Sequence, residues 1–182
     1  MSTKEIWVFG YGSLIWNPEF PYAEREIADL SGFARRFCMA SIHHRGTPDA
    51  PGLVLALDES ADRSCRGVAF RMAGEDQDLH LERLRERELV SSAYVETVQN
   101  VRLQDGREIN AICYVVDRSH VQYIANQPLV EQAAVIARSV GGRGPNPEYL
   151  YQTVESLRSL SIDDAELEWL ESEVKRLTGD AL

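Results

Sequence analysis

Over the first 116 positions the apolar residues fall in short runs of strand length, at 6–11, 36–42, 52–57 and 66–71. Segments rich in Pro, Gly, Asp and Ser separate them, so each run predicts a strand bounded by turns. A helix is predicted over 76–89, followed by strands over 94–103 and 107–116 that flank Asp105-Gly106. That dipeptide favours a two-residue hairpin turn, because both positions then take positive φ.

From 129 onward the period is that of helices. Leu129, Ala133, Ile136, Ala137 and Val140 share one face of a helix over 129–140. A second helix opens at Asn146-Pro147, a cap residue followed by proline at the first helical position, with Leu150, Val154 and Leu157 as its inner stripe. The third starts with Ser161-Ile162-Asp163-Asp164, which matches a capping box, and buries Leu167, Leu170, Val174 and Leu177. Strands first and helices last, without regular βαβ alternation, predict an α+β fold with a small curved or closed sheet and helices packed on it. No repeat or linker interrupts the pattern, so 1–182 reads as a single domain.

Composition narrows the function classes. Nineteen Lys and Arg against 29 Asp and Glu give a net charge of −10, which repels nucleic acid and anionic membranes. The longest apolar runs are too short to cross a bilayer, and the N-terminal residues lack the basic start of a secretion signal, so a cytoplasmic protein is expected. Cys38, Cys65 and Cys113 are odd in number and widely spaced, a pattern of reduced core thiols. His43 and His44 are adjacent, on or just past a predicted strand, and point to opposite faces, while His80 and His120 lie elsewhere, so no metal site is expected.

Two features invite chemistry. The strand Val8-Phe9-Gly10 runs into Tyr11-Gly12-Ser13-Leu14, where glycines interrupt an apolar run. Gly10-Tyr11-Gly12 opens like a dinucleotide fingerprint, but Ile15 occupies the third glycine position and Pro18 and Pro21 stand where a helix should run. Two readings remain: a simple bulge, or a loop whose backbone N–H groups, with the Ser13 hydroxyl, face an oxygen of a small ligand. In the predicted helix, Leu81 and Leu84 define an inward stripe whose next position is Glu88. An inward carboxylate serves either as a proton-transfer group or as half of a salt bridge with a neighbouring arginine. Gly141-Gly142-Arg143-Gly144-Pro145 reads as a helix stop and turn.

The stretches WVFGYGSLIW, RRFCMASIHHRGTPDAPG, RERELVSSAY and NPEYLY occur in the same order as in the ChaC family of γ-glutamylcyclotransferases, which this chain resembles over about residues 6–177. The resemblance implies a γ-glutamylcyclotransferase-like fold, a small mixed β-barrel with packed helices. It also implies the cleavage of glutathione to 5-oxoproline and cysteinylglycine, without metal or cofactor. By the same resemblance, Tyr11, Gly12, Ser13 and Leu14, carried by Val8, Phe9 and Gly10, cradle the γ-glutamyl group. Glu88 is the acid/base, Tyr149 is a further substrate contact, and His44-Arg45-Gly46 matches a motif with no role assigned. Other γ-glutamyl compounds as substrates, or ligand binding without catalysis, are the alternatives. One departure bears on them: where the family carries one or two glycines, this chain has Ser91-Ser92-Ala93 before Tyr94.

Overall fold

The computed structural model describes residues 5–181; residues 1–4, on which the expectation of no secretion signal partly rests, lie outside them. The chain divides into two units, one formed by the chain up to Arg35 with Leu57–His120, the other by Arg36–Ala56 with the chain from Val121 onward.

Five strands, β1 (Trp7–Gly10), β2 (Tyr22–Ser41), β3 (Gly52–Met72), β4 (Tyr94–Leu103) and β5 (Glu108–Val116), close a barrel in the order β1-β3-β2-β4-β5. Residues 36–41 of β2 and 52–56 of β3 belong to the second unit. In the first unit, β1 lies antiparallel to β3, with Val8 opposite Phe70, and parallel to β5, with Val8 opposite Ile112. Core residues come from every strand: Phe9, Leu30, Phe70, Leu103 and Tyr114 are all at most 2% exposed. The short helix α1 (Ser13–Trp16) follows β1, and α2 (Gln77–Glu88) buries Leu81 and Leu84.

The strands are longer than the apolar runs predict. The runs at 52–57 and 66–71 are two ends of the single strand β3, joined by the mostly exposed residues 59–64, and β2 begins at Tyr22 instead of near 36. Those joining residues stay extended through backbone pairing, which leaves no mark on hydropathy. The β4–β5 turn also differs. Gly106, at φ 94°, donates to Leu103 O at 3.0 Å, Leu103 N donates to Arg107 O at 2.8 Å, and Asp105 does not take positive φ. The loop therefore has three residues and needs one left-handed position.

In the second unit, α3 (Leu129–Arg138), α4 (Asn146–Ser159) and α5 (Ala165–Thr178) pack on one another through Ala133, Ile136, Leu150, Val154, Leu157, Leu167, Leu170 and Val174, all buried. Two predicted stripe residues are instead exposed: Val140 lies beyond the end of α3, and Leu177 is in the last turn of α5. The cap of α5 is Asp164, whose Oδ1 accepts from Leu167 N at 3.1 Å, whereas Ser161 closes the preceding turn onto Arg158 O. The glycine segment after α3 is a small hairpin, β6 (Val140–Gly141) with β7 (Gly144–Pro145), where a plain turn was predicted. No helix among the described residues is long and apolar enough to cross a membrane.

Asn146 opens α4 but caps nothing. Fully buried, it accepts from Leu53 N at 2.8 Å through Oδ1 and donates to Leu53 O at 2.8 Å through Nδ2. One amide side chain thus makes the pair of hydrogen bonds that a neighbouring strand residue would make. Replacing Asn146 by Ala leaves a buried N–H and a buried C=O without these partners, and should destabilise the protein by about 2–4 kcal/mol in urea unfolding. A loss below about 0.5 kcal/mol would contradict this account.

Candidate active site

Val8 and Phe9 are fully buried in β1, and the chain leaves the sheet at Gly10. A Cβ there would sit 3.2 Å from both Leu14 Cβ and Phe70 Cε2, so this glycine lets the loop fold back over its own strand. Gly12 precedes α1, where Ile15 N donates to Gly12 O at 2.9 Å and Asn17 N to Ser13 O at 2.8 Å. Tyr11 and Leu14 are buried, while Ser13 is partly exposed.

Two arginines hold this loop. The buried Arg35 donates from Nη1 to Tyr11 O at 2.9 Å and from Nη2 to Arg66 O at 2.9 Å. Because a trans peptide sets its C=O and N–H on opposite sides, fixing Tyr11 O toward Arg35 turns the Gly12 N–H the other way. Arg87 donates from Nη1 to Asn17 O at 2.7 Å and from Nη2 to Ser13 Oγ at 3.0 Å.

Glu88 is the last residue of α2, and its side chain is 15% exposed. Its Oε1 lies 3.3 Å from Arg87 Nε, so the salt-bridge reading of this carboxylate is realised in the structure. The same unit thus brings Glu88, Arg87 and the Tyr11-Gly12-Ser13-Leu14 loop together. A neighbouring network anchors α2 to the barrel: Arg85 donates through Nε and Nη2 to Glu96 at 2.8 and 2.7 Å, and Tyr114 Oη donates to Glu96 Oε2 at 3.1 Å. The Arg85 hydrogen bonds hold the Glu96 carboxyl below the usual range. Burial raises the Tyr114 hydroxyl above its usual range, and the Glu96 and Glu88 carboxylates add to that effect.

The Ser91-Ser92-Ala93 segment turns directly after this helix. Ser92 takes φ 57°, a left-handed conformation suited to glycine, and its N–H donates to Leu89 O at 3.1 Å. Ala93 is fully buried, and its carbonyl accepts from Asp117 N at 2.8 Å.

Tyr149 belongs to the second unit, on α4, where its Oη accepts from Leu55 N at 3.2 Å and its ring meets Phe37 edge-on. The same unit assigns a structural part to the His44-Arg45-Gly46 motif. Arg45 is buried, donates to Pro145 O at 3.0 Å, pairs with Glu148 at 3.6 Å and stacks over the Tyr149 ring. The carbonyls of His43 and His44 accept from Gly142 N and Arg143 N at 2.7 and 2.9 Å. A Cβ on Gly46 would fall 2.1 Å from Gly52 N, so these two chain segments touch backbone to backbone. All three cysteines are buried outside any disulfide, and burial pushes the Cys113 thiol up to about 12, with Cys65 adding to the effect.

The sequence model of the ChaC-like protein family matches residues 6–177. This chain belongs to the ChaC-like family. Among its relatives is the glutathione-specific gamma-glutamylcyclotransferase of Escherichia coli K12, 35% identical over 175 residues that cover 96% of this chain and 75% of that protein. The enzyme of the same name from Schizosaccharomyces pombe is 34% identical over 190 residues, covering 94% and 93% of the two chains. A crystal structure of the yeast gamma-glutamyl cyclotransferase specific to glutathione superposes with a TM-score of 0.87 at 27% identity, covering 96% of this chain and 97% of that one. The α+β barrel with packed helices is therefore the γ-glutamylcyclotransferase fold that the ChaC resemblance predicts.

The sequence reading missed Arg35 and Arg87 as holders of the loop. Arg35 lies in a stretch not predicted as strand, and Arg87 precedes Glu88 by a single residue, where helical spacing predicts divergent side chains.

Two outcomes follow from this geometry. Replacing Ser92 by Gly should relieve the left-handed serine and raise stability by about 0.5–1 kcal/mol, seen as a higher melting temperature; a lower one would show that the Ser92 side chain is itself needed. Glu96 has a folded pKa below its usual 4.5, so its contribution is complete above that value and fades as pH falls through the folded pKa. The stability advantage of the wild type over Glu96→Gln should therefore be constant near neutral pH and shrink below 4.5 in unfolding titrations. A gap that does not vary with pH would rule out this linkage.

Proposed function

We propose that this protein cleaves glutathione to 5-oxoproline and cysteinylglycine, with Glu88 as the acid/base and the Tyr11-Gly12-Ser13-Leu14 loop, carried by Val8, Phe9 and Gly10, as the γ-glutamyl cradle. Membership of the ChaC-like family supports the reaction class. The observation that carries the assignment of residues is the tie from Ser13 through Arg87 to Glu88, which links a glycine-containing loop to a largely buried carboxylate in one unit.

The reaction is an internal aminolysis. The α-amine of the γ-glutamyl group attacks its own γ-carbonyl, a five-membered lactam closes, and the bond to the cysteine nitrogen breaks. Nothing is oxidised or reduced. Because both reacting groups lie on one substrate, the protein's main tasks are to fold the substrate into an attack geometry and to move protons from the attacking nitrogen to the departing one. In neutral solution the amine carries a proton and cannot attack. Glu88 as the carboxylate takes a proton from the ammonium so that the amine can attack, and the same nitrogen gives up a second proton as the lactam closes. The departing cysteinylglycine nitrogen takes one proton to leave as an amine and another as it becomes an ammonium, with Glu88 serving removal and delivery in sequence. The cradle holds the α-carboxylate, and its backbone N–H groups and Ser13 hydroxyl are the donors available to it. A cytoplasmic location belongs to this reading, supported by three buried cysteines outside any disulfide.

Glutathione incubated with the purified protein should yield 5-oxoproline and cysteinylglycine in equal amounts, and γ-glutamylalanine should yield far less product. Glu88→Gln keeps the shape of the side chain but cannot carry the proton, and should lower turnover by at least about 10²-fold while the protein melts near the wild-type temperature. A folded Glu88→Gln protein with near-normal turnover would remove Glu88 from the mechanism.

A further inference from the structure

Arg87 makes four polar contacts at once. Besides Asn17 O at 2.7 Å and Ser13 Oγ at 3.0 Å, it lies 3.0 Å from Glu19 Oε2 through Nη1 and 3.3 Å from Glu88 Oε1 through Nε. Its side chain is only 12% exposed, although helix ends usually leave long cations in solvent. Adjacent residues on a helix diverge by about 100°, so contact between side chains 87 and 88 is not the default arrangement. The side chain reaches that contact while also engaging the loop. Glu19 supports the same arrangement, since its Oε1 accepts from Asn17 Nδ2 at 3.2 Å.

The chemistry gives this geometry a purpose. A serine hydroxyl has one proton and two acceptor lone pairs. Because Ser13 Oγ accepts from the Arg87 guanidinium, its own O–H is directed to a different acceptor, and such a serine is a ready donor to a carboxylate. The α-carboxylate and α-amine of a γ-glutamyl group are attached to one carbon atom. The group that holds the first and the group that deprotonates the second must therefore keep a fixed spacing. A planar guanidinium that contacts Ser13 on one arm and Glu88 on its Nε edge supplies that spacing, which a single-point ammonium does not.

We infer that Arg87 is a positioning residue that sets the distance between Ser13, the donor to the substrate α-carboxylate, and Glu88, the base for the α-amine. The inference rests on the function proposed above.

The test is steady-state kinetics of the full chain with glutathione for the wild type, Arg87→Lys, Arg87→Met, Ser13→Ala and the double variant Ser13→Ala with Arg87→Lys. Lysine keeps the charge and the aliphatic stem but not the planar fork, so Arg87→Lys remains informative if Arg87→Met fails to fold. The expected result is a loss in kcat/KM on the order of 10²-fold for Arg87→Lys, with kcat falling as well as KM rising, because a displaced base slows the chemical step. In the Ser13→Ala background the same substitution should cost at least about 3-fold less, because part of its effect runs through Ser13. A purely structural Arg87 would lower the melting temperature and leave kcat and KM of the folded fraction unchanged. A folded Arg87→Lys protein with wild-type kcat and KM overturns the inference, as does a loss of the same size with and without Ser13. A wild-type protein that forms no 5-oxoproline from glutathione would instead overturn the proposed function, and the positioning role with it.

Discussion

A loop that leaves a sheet loses the ladder that would fix its backbone, and in this protein arginine side chains replace that ladder. Arg35 takes the Tyr11 carbonyl and Arg87 the Asn17 carbonyl, one at each end of the segment that contains Gly12 and Ser13. Hydrogen bonds from a charged donor contribute about 1.5–3 kcal/mol each, more than a neutral pair, which suits a loop whose glycine would otherwise raise the entropy of its open forms. A guanidinium also brings five donors in a plane, so one residue can bind two segments without adjusting its torsions. Arg35 uses this to join Tyr11 to Arg66 on β3, and Arg87 uses it to join the loop to the end of α2.

The second unit applies the same physical rule with other residue types. Residues 52–56 of β3 have backbone groups that need partners, and α4 supplies them from its side chains: Asn146 pairs with both polar groups of Leu53, and Tyr149 Oη accepts from Leu55 N. Arg45 ties the segment after β2 to the carbonyl of Pro145, directly before that helix. Side chains that complete backbone hydrogen bonding tolerate little substitution, because each change strands a buried donor or acceptor. The NPEYLY stretch is thus explained by architecture at Asn146 and Tyr149, whatever else Tyr149 contacts.

Much of the fold was legible because it rests on burial. The α+β class, α2 with Leu81 and Leu84, and the three closing helices follow from apolar spacing, and the β4–β5 hairpin from the Asp105-Gly106 turn between two strand-like runs. What was illegible rests on backbone pairing and on side-chain hydrogen bonds. The extended residues 59–64 carry no apolar pattern, Asn146 imitates a cap while bonding a strand, and Asp164 caps α5 in place of the more familiar serine. At the candidate site, the inward stripe of α2 singled out Glu88 and the glycine interruption singled out the loop. A salt bridge from Glu88 to a neighbouring arginine was among the readings of that carboxylate, but the other half of the link was invisible, because Arg87 reaches Ser13 and Asn17, which lie 74 and 70 positions away in the chain.

The Ser91-Ser92-Ala93 turn can be weighed on the same terms. Glycine at such a position makes a left-handed turn accessible, but it does not select that turn. Selection comes from the flanks. Leu89 O receives the Ser92 N–H, Ala93 is fully buried, and its carbonyl is held by Asp117 N. These contacts hold Ser92 at φ 57°, the conformation that glycine would adopt more easily. A non-glycine residue in that region carries about 1–2 kcal/mol of strain, a charge against stability that leaves the path of the chain unchanged. Glu88 lies upstream of this turn, at the end of α2 beside Arg87, so the strain at Ser92 acts on how firmly the chain is folded directly after the helix that carries the carboxylate.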